Sequence, residues 1–357
     1  MFISNLGLKL AVSIVLSFVI SFAMTPIVKS FAIKVGAVDV PKDDRRMHDH
    51  PIPRMGGLAI FMGFLLTVVL FAELTHEIRG ILVGAIIIAA LGAIDDIMAL
   101  NAWVKLLGQI LAAVVAVSNG VAIHLFMNPN IFSVTEYIML ENLSIPITIL
   151  WIVGVTNAVN LIDGLDGLAC GVSTIASLTM FVVALLVSQS NVAVVLAALM
   201  GACLGFLPYN MNPAKIFMGD TGALLLGYVL ATTSAVGMFK FYAVVTFLVP
   251  LLALALPLLD TLLAIIRRIL KGQSPFAPDR GHLHHRLVDM GLNQKQAVAI
   301  MYAISAMLGL CAVVVVSTGT VRICLLVIAI FVALSISKFI GDTVIHHDDH
   351  NDKTDSQ

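Results

Sequence analysis

The chain has 357 residues, of which 60% are hydrophobic and only 11% charged, against about 25% charged in an ordinary soluble domain. With a mean hydropathy of +1.04 this excludes a soluble globular protein and leaves an all-α polytopic membrane protein. The formal net charge of -1 says little about partners, because such chains sort charge by position rather than by total.

Apolar runs of roughly 17–25 residues, with allowance for tilt, are long enough to span a bilayer. About eleven can be placed, at 6–28, 57–73, 80–94, 102–117, 145–159, 168–188, 191–208, 222–236, 243–266, 297–316 and 321–340. The first is too long for a signal-peptide core of about 7–15 residues, and its cations Lys29 and Lys34 follow it, so it is expected to be an uncleaved span with the N-terminus outside. That threading puts sixteen of the twenty lysines and arginines inside and only Lys9, Arg79, Lys240 and Arg322 outside, the bias of cytoplasmic loops. It also puts the C-terminus in the cytoplasm. The glutamates Glu73, Glu77, Glu136 and Glu141 all fall outside, whereas the aspartates fall on the inside face.

One integral-membrane domain, 1–340, is therefore expected, with cytoplasmic loops at about 29–56, 95–101, 160–167, 209–221 and 267–296. Residues 341–357 read as a disordered polar tail. In the outside loop 118–144, Phe132, Val134 and Tyr137 alternate in part and suggest a small hairpin. Cys170, Cys203, Cys311 and Cys324 have no paired spacing and read as small core hydrophobes.

The inside loops carry the chemistry. In loop one, Lys42, Arg45 and Arg46 would fix topology alone, but the rigid Pro51-Ile52-Pro53 followed by Arg54 and Gly56-Gly57 suggests a loop held against something, and an anionic headgroup suits it. Asp95-Asp96 ends the third run, with Lys105 close behind. Adjacent carboxylates repel unless a cation is near, and Mg²⁺ prefers such hard oxygen ligands. In loop three, Asn160, Asp163 and Asp166 recur every three residues and would share a face if the stretch opened a helix, while Gly164 and Gly167 would let a bulky anion approach the backbone. A helix cap needs only one such residue. Three of them point to a metal-assisted phosphate site.

Loop four, Tyr209–Gly222, places Asp220 and Thr221 at the start of a helix, whose free N–H groups attract phosphate. A carboxylate there would repel phosphate unless Mg²⁺ bridged the two. Loop five gathers Arg267, Arg268, Arg280, His282, His284, His285 and Arg286. It lacks the paired-ligand spacing of a zinc site and reads as a set of cationic donors to a diphosphate. Asp260, two turns before Arg267, is either that arginine's buried partner or functional.

Together these stretches resemble the polyprenyl-phosphate N-acetylhexosamine-1-phosphate transferases. The matching motifs are Asp95-Asp96, Asn160-Leu-Ile-Asp-Gly-Leu-Asp-Gly167, Phe217-Met-Gly-Asp-Thr-Gly222 and His282-Leu-His-His285, in the family's order and across nearly the whole chain. Loop five departs from the three consecutive histidines usual in the muramyl-pentapeptide branch and looks like the branch that uses UDP-N-acetylglucosamine. A teichoic acid linkage initiator is similar too.

The resemblance implies transfer of N-acetylglucosamine 1-phosphate to undecaprenyl phosphate with release of UMP. It implies an active site on the cytoplasmic face of a bacterial inner membrane and a product that starts an O-antigen or enterobacterial common antigen type of glycan. By resemblance Asp220 is a Mg²⁺ ligand, with Mn²⁺ an alternative ion. Asp95 and Asp96 bind metal or handle the attacking phosphate, and Asp163 and Asp166 lie near metal and nucleotide with Asn160. Asn210 and Phe217 match the positions that hydrogen-bond and stack on uracil. Lys105, Arg268, Arg280, His282, His284 and His285 would hold substrate, with Asp260 and Thr221 behind them. The implied partners are the two substrates and the bilayer, with no nucleic acid and with homodimer formation left open. A transporter, the main non-enzyme alternative, would hold its ionisable groups near the bilayer midplane, whereas here they gather at cytoplasmic ends.

Overall fold

The computed structural model describes residues 5–40, 51–127, 137–237, 243–274, 281–317 and 322. In chain order it runs α1 (Leu6–Lys34), β1 (Val38–Asp39), β2 (Ile52–Pro53), α2 (Gly57–Phe71), α3 (His76–Met98), α4 (Ala102–Ser118), β3 (Leu125–Met127), β4 (Tyr137–Met139), α5 (Ser144–Leu161), α6 (Leu168–Leu186) and α7 (Ser190–Asn210). It continues with α8 (Gly219–Gly237), α9 (Ala243–Ala253), α10 (Ala255–Leu270), α11 (Leu283–Asp289) and α12 (Gln294–Val316). Among the described residues six helical segments are long and apolar enough to cross a membrane, and Gly57–Phe71 and Ala102–Ser118 are shorter apolar helices.

Each of the first ten expected runs coincides with helix. The run 243–266 is not one helix, however: it breaks at Leu254, between α9 and α10. Pro257 has no N–H to donate to Ala253, so the ladder of α9 cannot continue through that turn. The eleventh run, apart from Arg322, and the tail 341–357 lie outside the described residues.

Local chemistry sets several helix starts. The side chains of Asn5, Thr75, Asn101 and Asn293 accept from the backbone N–H of Leu8, Ile78, Trp103 and Gln296, satisfying donors that the first turn leaves free. The loop 118–144 does form a hairpin, with Leu125 opposite Met139 and Met127 opposite Tyr137. Phe132 and Val134 lie outside the described residues.

Packing is centred on α8, buried without interruption from Thr221 to Gly237 and in contact with α2, α3, α5, α6 and α7. α1 lies along α7, where Gly201 and Gly205 face the backbone of Ile14 and Phe18 so closely that a Cβ would overlap it. Small residues four apart are the usual means of close helix approach in lipid. Large apolar side chains such as Val15, Ile27, Leu70, Leu107, Leu150 and Leu270 stand exposed on the outer helices. A bilayer covers such a surface, and the chain is a multi-pass membrane protein.

Candidate active site

The first turn of α8 is the anchor of the site. Its N–H groups were expected to be free for phosphate, but a neighbouring helix caps them: Asp96 on α3 accepts at Oδ1 from Asp220 N (2.9 Å) and at Oδ2 from Thr221 N (3.1 Å) and Thr221 Oγ1 (2.6 Å). Gly219 makes this approach feasible, with φ at +71° and no room for a Cβ beside the Asp96 carboxylate. Loop one leans on the same turn. Phe217 N donates to Pro53 O, Gly56 N to Phe217 O and Gly57 N to Met218 O, at 2.8, 3.0 and 2.8 Å. The end of loop one, from Pro53 to Gly57, is thus held against loop four.

Four chain segments then meet at Asp220. Lys105 Nζ lies 2.8 Å from Asp220 Oδ2 and 2.9 Å from Asp95 Oδ2, and Asn160 Nδ2 donates to Asp220 Oδ1 at 3.1 Å. Asp95 Oδ1 also accepts from Leu100 N. Asn160, Asp163 and Asp166 do not share a helix face. Asn160 is in the last turn of α5 and the two aspartates sit on the non-helical link to α6.

Their tasks differ. Asp166 Oδ2 accepts from Asn212 Nδ2 (2.9 Å) and Ala214 N (3.0 Å), which fastens loop four to loop three. Asp163 receives no hydrogen bond from a described side chain, and burial together with the charges of Asp220, Asp96 and Asp166 pushes its carboxyl up to about 8. The space beside Gly164 is filled by the His284 ring and not left for an anion.

A cavity of about 310 Å³ joins these segments, lined by Asp39, Arg54, Asn160, Asp163, Asp166, Asn210, Phe217, Asp220, His285 and Gln294 among others. Asp95, Asp96, Lys105 and Thr221 form a layer behind Asp220 rather than part of the wall. Inside the cavity wall, Asn210 donates to Ile216 O, while its Oδ1 is buried with no donor. Arg54 is half-buried, 4.0 Å from Asp39, and its Nε has no partner among the described residues. Asp39 and Gln294 escaped the sequence reading because neither belongs to a motif. They reach the wall through the β1–β2 pair and the start of α12.

In loop five the partner of Asp260 is His282, not Arg267. Its Oδ2 lies 2.7 Å from His282 Nδ1 and its Oδ1 accepts from Leu283 N at 2.8 Å. The rings of His282, His284 and His285 form a ladder, with centroids 5.7 and 4.3 Å apart. Only His285 reaches the cavity wall. Burial, then the neighbouring His285, lowers His284 to about 4, so it is a neutral imidazole and not a cationic donor. Arg268 is buried in the last turn of α10 and is not in the wall. Arg280 lies outside the described residues.

No three histidine, cysteine or acidic side chains among the described residues form a ready chelate. Mg²⁺ does not require one, since it is commonly bound through one or two carboxylates, waters and substrate phosphates. Asp163, which faces three other aspartates and accepts no hydrogen bond from a described side chain, and Asp220 in the same lining have the chemistry such an ion needs. The oxygens of Asp95 and Asp96 are engaged by Lys105 and by backbone and side-chain donors, and those of Asp220 by Lys105 and Asn160.

Residues 78–238 match the family described as glycosyl transferase family 4. The chain is 42% identical over 326 residues to the probable undecaprenyl-phosphate N-acetylglucosaminyl 1-phosphate transferase of Bacillus subtilis, covering 91% of this chain and 90% of that one. It is 40% identical over 312 residues to the decaprenyl-phosphate N-acetylglucosaminephosphotransferase of Mycolicibacterium smegmatis, covering 80% and 76%. A phospho-N-acetylmuramoyl-pentapeptide-transferase of Caldicellulosiruptor bescii is 33% identical over 233 residues, covering 62% and 72%.

Proposed function

The chain belongs to glycosyl transferase family 4, and from that premise we propose that it transfers N-acetylglucosamine 1-phosphate from UDP-N-acetylglucosamine to undecaprenyl phosphate, giving undecaprenyl-diphospho-N-acetylglucosamine and UMP. The observation that carries this reading is the common cavity: Asn160, Asp163, Asn210, Phe217 and Asp220, from separate links of the chain, line one wall. The relatives named for N-acetylglucosamine phosphate transfer, at 42% and 40% identity, favour that donor over the muramoyl pentapeptide nucleotide, whose named enzyme stands at 33%.

In this reaction an oxygen of the lipid phosphate attacks the sugar-bearing phosphorus, and the bond from that phosphorus to the UMP oxygen breaks. The acceptor is largely dianionic near neutral pH, its second pKa being about 6, so it needs no strong base. The difficulty is bringing two anions together, and positioning with charge neutralisation should dominate. Asp220 and Asp163, which line the same cavity, would hold Mg²⁺ or Mn²⁺, which would supply positive charge to the phosphates. Asn160 and Lys105 fix the Asp220 carboxylate, and Asp96 fixes the turn that carries it. Arg54 and His285 face the cavity as donors to the diphosphate. The buried Oδ1 of Asn210 suits the N–H of uracil, and the Phe217 ring offers a face for stacking.

The finer topology follows from the distribution of Lys and Arg: eleven spans, N-terminus outside, and this cavity on the cytoplasmic face of a bacterial inner membrane. The product would serve as the starter of an O-antigen or common antigen glycan, or of a teichoic acid linkage unit. Purified protein incubated with undecaprenyl phosphate, Mg²⁺ and either UDP-N-acetylglucosamine or UDP-N-acetylmuramoyl-pentapeptide tests the donor. UMP release with the first nucleotide alone is expected. Release with only the second, or of UDP in place of UMP, would refute the assignment.

A further inference from the structure

A second cavity, of about 510 Å³, opens beside the end of α1 and is lined by Lys29, Ile33, Val38, Pro51, Ile52 and Pro53 together with Pro213, Ala214 and Lys215. Among the described residues its only charged lining side chains are the two lysines, Lys29 half-buried and Lys215 exposed. Neither ammonium has an acidic partner among the described residues. The rest of the lining is almost wholly apolar. We propose that this cavity binds one anionic phospholipid of the bilayer, its phosphate between Lys29 and Lys215 and its chains running back along α1 past the exposed Ile27 toward the bilayer core.

The depth fits. From Leu6 to Lys29 α1 rises roughly 35 Å at ~1.5 Å per residue, slightly more than a hydrocarbon core of ~30 Å, which brings Lys29 to headgroup level. Exposed Val15, Val19 and Ile27, all before Lys29, carry the apolar surface of the helix into the lipid. Lysines at this level attract anionic lipid, and a pocket with apolar walls adds specificity for a single molecule.

The cavity is not the acceptor's reacting position. Val38 and Pro53 line it, while their neighbours Asp39 and Arg54 line the catalytic cavity. The β1–β2 pair borders both spaces, but neither Lys29 nor Lys215 lines the catalytic cavity and neither Asp163 nor Asp220 lines this one. The site rests on the chain's being a membrane protein and not on the substrates assigned above.

The test uses full-length protein in nanodiscs of phosphatidylcholine, with and without phosphatidylglycerol, followed by native mass spectrometry of the retained lipid. Wild type should keep one phosphatidylglycerol per chain in preference to phosphatidylcholine. The Lys29→Gln/Lys215→Gln variant should lose that preference by roughly 30-fold, at the strength usual for two lysines near a membrane surface. Lys29→Arg/Lys215→Arg should keep it, which separates a lost charge from a misfolded chain, and Lys271→Gln, a cation elsewhere on the same side, should leave it intact. Equal retention by wild type and the glutamine variant would overturn the site. Displacement of the lipid by inorganic phosphate alone would reassign it to a free anion. One-for-one displacement by undecaprenyl phosphate, with a raised acceptor KM in the glutamine variant, would reassign it to the acceptor.

Discussion

Lys105 and Asp163 lie within one site and are treated oppositely by their surroundings: Lys105 is matched by two carboxylates, whereas Asp163 faces three and accepts from no described side chain. With its folded pKa near 8 against an ordinary 3.8, the folded protein keeps a proton that the unfolded chain loses from about pH 4 upward. Unfolding then releases a proton, so this residue makes stability fall as pH rises from about 4 to about 8. Asp163→Asn removes that penalty. In EDTA the variant should melt about 2–4 °C above wild type at pH 8 and no higher at pH 4, while losing transfer. Equal or lower melting at pH 8, read by scanning fluorimetry, would contradict the assignment. For Phe217→Ala, loss of a stacked base should raise the KM for the nucleotide roughly tenfold with kcat little changed, and steady-state kinetics would show it. The identity of these residues was legible in the sequence because oxygen-bearing side chains interrupt long apolar runs. Their separate tasks were not: nothing in the spacing of Asp163 and Asp166 distinguishes an aspartate that fastens Asn212 and Ala214 from one that faces a cavity.

α8 is the element on which the geometry depends. It enters the bundle with its first turn capped by Asp96, and Gly57 and Gly222 meet where α2 crosses it. Asp96→Ala should leave those N–H groups buried and unpaired, at a cost of about 1–2 kcal/mol, and should lower both the melting temperature and the transfer rate. A variant that lost activity with unchanged melting would favour a direct role in the chemistry instead. Helix positions were legible from apolar length alone, since lipid demands fully bonded backbone. The cap was not, because the donor turn and Asp96 are 124 residues apart. The pairing of loop one with loop four escaped for a related reason: it runs through backbone groups of Pro53, Gly56, Gly57, Phe217 and Met218, which leave no side-chain signature. The division of α9 from α10 was written in Pro257, but a hydropathy run overlooks a missing N–H.

At the level of the whole molecule, alternating helices return every chemistry-bearing link to one end of the bundle, so that distant residues share a cavity. The proposed orientation predicts that a cysteine at Arg79 is labelled by an impermeant maleimide in intact cells, and one at Lys295 only after permeabilisation. The reverse pattern would place the site outside. Most direct is single-turnover transfer by wild type and Asp220→Asn across a Mg²⁺ titration, with UMP and lipid-linked diphosphate sugar both quantified. Wild type should form the two products in equal amounts with a requirement for the ion, and the variant should fall by roughly 10³-fold even at saturating Mg²⁺. Turnover by Asp220→Asn within a few fold of wild type, at the same Mg²⁺ dependence, would contradict it.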